Sequence, residues 1–351
     1  MILSASEIKK ILQHIWEIKS DHTFFDLHTH PFEIIFRKFD ESVVSSDGTS
    51  TQGKVTYEPP AIKDEKLRDS VIHNQIRTSQ TRPEFLLVWL KKKYRFTGAS
   101  VFLDQMKLGA IDKALLLPVC PSSQDYEKQM KSMITLFSDK AHFIFACSIP
   151  NQIEDNKISQ YLKEQIQRYQ VRAVKIHPNI SEINLKTSQG IERVESILQA
   201  CNHHRLPVVI HGGRNFLLPN KQAAEFACIE NLQKIDWSIT TSPVIIAHAA
   251  GFDYSSDEFR DRVLPILKTM LAKHVNLSVD ISALSLSNLE TVLNSISADR
   301  IVFGSDALYY NIWSEITCLY FALQRQKFDI EKWLIKILAK NPEKVLHQNQ
   351  E

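Results

Sequence analysis

Apolar residues along the chain alternate between two patterns, one typical of buried strands and one typical of amphipathic helices. Short β-branched runs that look buried on both faces are each followed by a helical stretch with one apolar stripe and then by a polar turn. The first such run, residues 24–28, predicts an early strand. Seven more strands are predicted at residues 112–118, 142–148, 171–177, 207–211, 244–248, 276–281 and 300–304.

Eight strands that alternate with helices allow two architectures, a closed (β/α)8 barrel and a doubly wound open sheet. No G-x-G-x-x-G motif follows the first strand, which disfavours the open sheet. We therefore predict an α/β fold, a (β/α)8 TIM barrel that forms a single domain over residues 1–351. Ahead of it, Ile8, Ile11 and Ile15 recur at helical spacing after a capping-box pattern, which predicts an N-terminal amphipathic helix and no cleaved leader.

Residues 31–110 do not follow the alternation. They include a polar stretch at 45–51, a Pro59-Pro60 break and basic helical segments. A connection this long inside a compact domain is usually a functional lid or disordered. We predict that residues 31–110 are an insertion after the first strand that forms a cap or lid over its C-terminal end. A helical outgrowth or an oligomer contact away from any site is the alternative.

Composition narrows the class of protein. Hydrophobic residues make up 44% and charged residues 23%, as in soluble globular domains, and the net charge of +2 gives no polyelectrolyte signal for nucleic acid or acidic membranes. No apolar run approaches the roughly 18 to 20 residues of a membrane span. The five cysteines are scattered and odd in number, which disfavours a disulfide framework. We expect a cytoplasmic protein with a small-molecule substrate and no nucleic-acid or membrane partner; a homodimer stays open.

The most informative peptide lies at the end of the first predicted strand, where His28 and His30 form an H-x-H motif. Side chains alternate along a strand, so the two imidazoles point to the same side about 6.6 Å apart along the chain. From that spacing both can reach one metal ion. Burying both without a partner would leave ring nitrogens unsatisfied, and a divalent cation removes that cost.

Other polar residues follow the same rule of position. His177, His211, His248 and Asp306 each close an apolar run at its C-terminal end. In a parallel barrel the C-terminal ends of all strands share one face. These side chains are therefore predicted to converge on one cluster together with the H-x-H motif.

This arrangement resembles the amidohydrolase superfamily, whose (β/α)8 barrels bind metal through an H-x-H after the first strand, histidines after the fifth and sixth, and an aspartate after the eighth. The strings 211–213 (HGG), 247–251 (AHAAG) and 304–306 (GSD) are similar to the amidohydrolase-related branch, which includes hydrolases and non-oxidative decarboxylases. The closing stretch 339–346 is similar to the family's last helix. The resemblance covers residues 24–30 and 111–346 and leaves out the insertion.

The resemblance implies roles for individual residues. His28, His30, His211 and Asp306 would hold one divalent ion, which we expect to be zinc with an open water position, while manganese or a second ion remain alternatives. His248 would be the catalytic acid or base. Asp306 would be catalytic as well, as a proton acceptor.

Further residues are candidates for substrate contact. His177 and Lys175 lie two apart on the fourth strand and face the same way. In some branches of the superfamily such a lysine is carbamylated and bridges two metals, whereas in others it is unmodified. Arg214 and Asn215 follow His211 and could clamp a substrate carboxylate, and Tyr309 lies one short loop beyond Asp306. For each of them a structural or solvated role is the alternative.

Three functions fit these residues. The first is metal-dependent hydrolysis of an amide, lactone or ester in a small organic substrate. The second is metal-dependent, non-oxidative decarboxylation of an aromatic or unsaturated acid, which uses the same ligands. The third is a catalytically silent barrel that binds a ligand or partner, and it is disfavoured because no ligand of the pattern is missing.

Overall fold

The computed structural model describes residues 5–30, 99–120, 126–137, 141–216, 218, 220–307 and 310–347. Within them, eight short strands alternate with helices, as the apolar runs predict. The strands are β1 (Phe25–Thr29), β2 (Lys113–Leu116), β3 (Phe143–Cys147), β4 (Ala173–Ile176), β5 (Val208–Ile210), β6 (Val244–Ile246), β7 (Leu277–Asp280) and β8 (Ile301–Val302).

All neighbouring strands pair in parallel and in sequence order, from β1 to β8. The segment that follows β8 returns to β1. The backbone N–H of Leu27 donates to Phe303 over 3.0 Å, and that of Asp306 donates to His28 over 2.8 Å. These bonds close the sheet, so the predicted TIM barrel is confirmed.

The helices form the outer layer. In the described residues they are α1 (Ala5–Lys19), α2 (Ala99–Leu108), α3 (Tyr126–Leu136), α4 (Ile158–Tyr169), α5 (Ser188–His203), α6 (Ile229–Leu232), α7 (Ser256–Glu258), α8 (Leu264–Lys273), α9 (Leu286–Ser295), α10 (Ile312–Arg325), α11 (Ile330–Ile335) and α12 (Asn341–His347). The predicted N-terminal helix is α1, and it packs on α10 and α11. None of the helices described is long and apolar enough to cross a membrane.

Two apolar clusters follow from the alternation of side chains along the strands. The larger cluster joins the strands to the helices and contains Val174, Val208 and Ile246. The smaller cluster holds alternate residues of the same strands, such as Ala173 and Val209, and forms the barrel interior. Lys175, His177 and His211 share the alternation of this inner set, so they continue the interior toward the C-terminal face.

The end of the predicted insertion belongs to the outer layer. Phe102 and Met106 of α2 are buried in the larger cluster, and the end of α2 packs against Ile312 at the start of α10. Residues 31–98, which make up most of the predicted cap, lie outside the described residues. The cap therefore stays a prediction.

Candidate metal centre

The H-x-H motif brings two imidazole nitrogens together. At the end of β1 the register with β2 shifts between Asp26 and Thr29, a bulge of the kind that re-aims side chains at barrel rims. His28 and His30 there face each other with 2.9 Å between their Nε2 atoms. Both rings are buried. Since zinc–nitrogen bonds are about 2.0–2.1 Å long, one ion can reach both nitrogens.

The other ring nitrogen of each imidazole is already hydrogen-bonded. Nδ1 of His30 lies 2.7 Å from the carbonyl oxygen of Leu117, and Nδ1 of His28 lies 2.8 Å from Oδ2 of Asp280. These oxygens only accept, so Nδ1 carries the proton in both rings and each Nε2 presents a lone pair. Two lone pairs that face each other across 2.9 Å need a positive charge beside them; the ammonium of Lys175, 3.1 Å from Nε2 of His28, is one such charge, and a metal ion would be another. The donor set thus fits a cation.

Asp306 supplies a carboxylate to the same place. It follows β8 in a left-handed backbone conformation, with φ 56°, and its Oδ1 lies 3.5 Å from Nε2 of His30 and 3.7 Å from Nε2 of His28. The three ligand atoms belong to one group that could hold a metal ion. Burial raises the pKa of Asp306 well above its usual value, and the nearby Lys175 opposes that rise. Nitrogen and carboxylate ligands suit zinc or manganese.

His211 lies beside this group but outside it. Its ring stacks on His177 with 4.0 Å between centroids and lies 5.0 Å from the ring of His248. Nε2 of His211 is buried and has no hydrogen-bond partner, an unusual state for a polar atom. Burial and then the neighbouring His177 hold the pKa of His211 well below its usual value. A neutral imidazole with a free lone pair is what a ligand requires, and its assignment as a ligand stays a prediction.

His248 lies beside His28, and its Nδ1 is bonded to Ser282. Nδ1 is 3.1 Å from the carbonyl oxygen of Ser282 and 2.9 Å from its hydroxyl, so the proton sits on Nδ1 and Nε2 is free to accept one. The ring centroid lies 4.9 Å from that of His28. Burial, reinforced by His28, lowers the pKa of His248 to about 3. The imidazole is therefore neutral at neutral pH.

The comparison with protein families decides the identity. The profile described as Amidohydrolase matches residues 126–348, which is more than half of the chain. The chain belongs to the Amidohydrolase family. The matched segment contains His211, His248 and Asp306, while the H-x-H motif precedes it.

Solved structures share the fold of this amidohydrolase at low identity. An uncharacterised TIM-barrel protein from Bordetella bronchiseptica is 12% identical with a TM-score of 0.57, and the match covers 94% of this chain and 100% of that one. 5-Carboxyvanillate decarboxylase from Sphingomonas paucimobilis is 8% identical with a TM-score of 0.55, and the match covers 92% of this chain and 98% of that one. A probable 2-pyrone-4,6-dicarboxylic acid hydrolase from Acinetobacter baumannii is 13% identical with a TM-score of 0.51, and the match covers 92% of this chain and 99% of that one. None of the curated proteins compared with the chain matches it.

Lys175 of this amidohydrolase lies against the predicted ligands. Its Nζ is 3.1 Å from Nε2 of His28, and the side chain is 1% exposed. Burial lowers the pKa of Lys175 to about 8, although Asp280 and Asp306 oppose the shift. The position is one from which a carbamylated lysine could reach the metal ligands; that modification stays a prediction.

The predicted substrate-binding residues divide into three groups. His177 lies in the cluster, stacked on His211. Arg214 is paired with Glu258, with 2.9 Å between Nη1 and Oε1, and its guanidinium lies 4.0 Å above the ring of Tyr254, so part of its binding capacity is already used. Asn215 donates its backbone N–H to Ala224, and its side-chain Oδ1 is buried without a hydrogen-bond partner. Tyr309 lies outside the described residues.

Asp26 has a structural role in the barrel. Its Oδ1 accepts the backbone N–H groups of His28, at 3.1 Å, and Ser305, at 3.0 Å. It thus ties β1 to the segment after β8 directly below the candidate metal ligands. Burial raises the pKa of Asp26 to about 7, against the effect of its bond to Ser305.

Asp280 is the site residue that sequence reasoning missed. It ends β7 within the predicted strand 276–281, is fully buried, and bonds both His28 and the backbone of His248. The signal was present, because Asp280 closes an apolar run just as Asp306 and the strand-end histidines do. Gly304 opens the GSD string of the resemblance: a Cβ there would lie 2.6 Å from Cβ of His28, so only glycine lets the segment after β8 approach this predicted ligand so closely.

Proposed function

We propose that this amidohydrolase is a metal-dependent hydrolase that activates water to cleave an amide, lactone or ester bond in a small organic substrate. The observation that carries the proposal is the meeting of two kinds of group. His28, His30 and Asp306 present lone pairs at the spacing of one ion's ligands, and the neutral His248 presents an unprotonated Nε2 beside them. A bound metal ion and a neighbouring general base can together activate a water molecule for attack.

A divalent ion at such a site lowers the pKa of coordinated water to about 7, and zinc fits these donors. The protein's own residues do the rest. His248 accepts a proton at Nε2 while its Nδ1–H stays on Ser282, so the charge that forms on the ring is shared with a carbonyl oxygen. Asp306 is a second proton acceptor, since burial favours its protonated form.

The surroundings of the cluster limit the access of water. Phe252, which is half-buried, packs its ring 4.8 Å from that of His248 and 5.4 Å from that of His211. An apolar wall lowers the local dielectric and strengthens each electrostatic contact inside it. We propose that a substrate lies against this ring, with His177, Arg214, Asn215 and Tyr309 as further contacts.

The metal assignment is tested by the metal content of purified protein after loading with zinc or manganese. We expect one ion per chain in the wild type and a loss of affinity of at least about 100-fold in His30→Ala and Asp306→Ala. His203→Ala and Asp299→Ala remove the same groups from exposed positions and should keep the ion. Full occupancy in both site variants would refute the assignment.

The reaction is tested by assaying the loaded enzyme on lactones, amides and esters, with hydroxybenzoates as the contrast. Turnover of a hydrolysable substrate that depends on metal and on His248 would support the proposal. Loss of CO₂ from a hydroxybenzoate without hydrolysis of any other compound would favour the decarboxylase, which needs a proton donor where the hydrogen bonds of His248 indicate an acceptor. Metal binding without either reaction would favour a catalytically silent barrel.

The lysine hypothesis has its own test. If Lys175 is carbamylated and bridges two metals, the loaded protein binds two ions and its intact mass, measured under native conditions, exceeds the sequence mass by one CO₂ in addition to the metal. Lys175→Met should then remove one ion. A single ion with an unmodified amine would exclude the binuclear site.

A further inference from the structure

Asp280 is a buried carboxylate that the proposed chemistry does not use. It lies at the C-terminal end of β7 and is fully buried, a position that costs several kcal/mol for an ion unless hydrogen bonds compensate. Its two oxygens accept four hydrogen bonds from three residues. Those donors belong to His28, His248 and Ser282, two of which are candidate site residues.

One oxygen serves the metal side of the site. Oδ2 of Asp280 lies 2.8 Å from Nδ1 of His28. Because a carboxylate only accepts, this bond keeps the proton on Nδ1 and leaves the lone pair on Nε2, which faces His30 and Asp306. A carboxylate on the far nitrogen of a metal-binding imidazole fixes the orientation of the ring and makes it a stronger ligand.

The other oxygen serves the base side. Oδ1 of Asp280 accepts the backbone N–H of His248 over 2.9 Å, at the start of three consecutive residues with positive φ, 56°, 46° and 58°. Left-handed backbone is strained in residues other than glycine, so this turn needs an anchor. The hydroxyl of Ser282 donates to the same oxygen over 2.5 Å and therefore accepts from Nδ1 of His248 over 2.9 Å.

We propose that Asp280 is a positioning residue that sets the tautomers of two imidazoles at once, His28 directly and His248 through Ser282. Each ring carries its proton on Nδ1, so each Nε2 presents a lone pair. The inference rests on the proposed metal site but adds to it, because it names the group that couples the ligand to the base.

A substitution by asparagine tests the proposal without a change of shape. The carboxylate accepts on both oxygens, whereas an amide accepts on one and donates on the other. In Asp280→Asn the NH₂ group must face either Nδ1–H of His28 or the backbone N–H of His248, and that bond is lost. Ser282→Ala is the matched control. It removes the hydroxyl between Asp280 and Nδ1 of His248, while the backbone carbonyl of residue 282 still accepts from that Nδ1 and Asp280 still bonds His28.

The tautomers are read from the side-chain ¹⁵N shifts of histidine-labelled protein, with His28 and His248 assigned by single substitution. Zinc affinity is read by competition with a chelator. In the wild type we expect the Nδ1–H tautomer for His28 and His248. In Asp280→Asn we expect mixed tautomers in at least one of them and a 10- to 100-fold weaker zinc affinity. Ser282→Ala should keep the His28 tautomer and the zinc affinity.

Each contrary result has a distinct meaning. Unchanged tautomers and zinc affinity in Asp280→Asn, with only a lower unfolding temperature, would leave Asp280 a purely structural role and overturn the proposal. Two zinc ions in the wild type and one in Asp280→Asn would overturn it too, because Asp280, His28 and His248 would then be ligands themselves. If Asp280→Asn does not fold, an Nε2–H tautomer of His28 in the wild type would still refute the proposal. Wild type that binds no metal while both rings keep Nδ1–H would defeat the metal site alone.

Discussion

At the scale of single residues, the hydrogen bonds on the far nitrogens of the imidazoles decide what the site can do. His28, His30 and His248 each have Nδ1 bonded to an oxygen of the protein. Their Nε2 atoms are thereby left without protons. In the proposed function the same residue type would supply both metal ligands and a base, and the position of each ring would decide its role.

The role of His248 can be separated from metal binding. His248→Gln removes the proton acceptor, and we expect kcat to fall by about 10²- to 10⁴-fold, the usual contribution of a general base. Metal content should stay at one ion per chain, since His248 is not among the group formed by His28, His30 and Asp306. Steady-state kinetics with metal analysis checks both values, and His203→Gln, at an exposed position, should alter neither. Unchanged kcat in the site variant would exclude His248 as the base.

Asp26 gives a stability prediction at the same scale. Asp26→Ala leaves the backbone N–H groups of His28 and Ser305 buried without this acceptor, which we expect to lower the free energy of unfolding by about 1–3 kcal/mol. Asp26→Asn keeps one acceptor oxygen and should cost much less. Urea unfolding of the metal-free protein measures both. Equal losses in the two variants would show that the oxygen bonded to these N–H groups is not what matters.

At the scale of elements, a backbone contact joins the segments that follow β5 and β6. Gly213 follows β5 with φ 120° and forms a bridge with Phe252, which follows β6. The two segments carry His211 and His248, whose rings both contact Phe252. The close approach of these two backbones sets the distance between the two imidazoles.

Gly213→Ala should disturb that approach. An added Cβ would lie 2.6 Å from the backbone N and O of Phe252, so the chain must shift, and φ 120° is itself strained for alanine. We expect the free energy of unfolding to fall by about 1–3 kcal/mol, as measured with urea. Glu331→Ala on the exposed face of α11 should change it by less than about 0.5 kcal/mol. A stable Gly213→Ala would mean that the turn adjusts freely.

At the scale of the whole molecule, the barrel buries groups that its unfolded chain would expose to water. All five cysteines are buried thiols, and none of them is in a disulfide. Cys147 lies at the end of β3 with no exposed surface, and burial raises the pKa of its thiol to about 12. Burial also raises the pKa of the Cys120 thiol to about 12.

These thiols make stability depend on pH. Because the pKa of Cys147 is raised in the folded state, the unfolded chain releases its proton first, and alkaline pH favours unfolding. The contribution is constant below about pH 9 and then falls by up to about 1.4 kcal/mol per pH unit for each thiol as the pH rises toward 12. Urea unfolding between about pH 8 and pH 10.5 measures the slope. Cys147→Ala should reduce the slope by the contribution of one thiol. An equal slope in both proteins would contradict the raised pKa of Cys147.

Much of the candidate site was readable from the order of residues. Parallel strands in a closed barrel end on one face, so His28, His30, His248 and Asp306 could be placed together from their positions alone. Asp280 obeys the same rule, and its role could not be read because it depends on which ring lies within 2.8 Å of its oxygen. The pairing of Arg214 with Glu258 could not be predicted either, since it joins residues that are 44 positions apart in the sequence.

The amino-acid sequence by itself determined the eight strands, their order and the residues at their ends. Apolar periodicity is a local property of the chain, and so is the need of a buried polar group for a partner. Only the tertiary structure decided which ring nitrogen of His28, His30 and His248 carries the proton, why Gly304 must be glycine, and that His211 stacks on His177. The physical reason is distance. Hydrogen bonds and metal coordination act over about 2–3 Å, and separations that small between remote residues exist only once the barrel has closed.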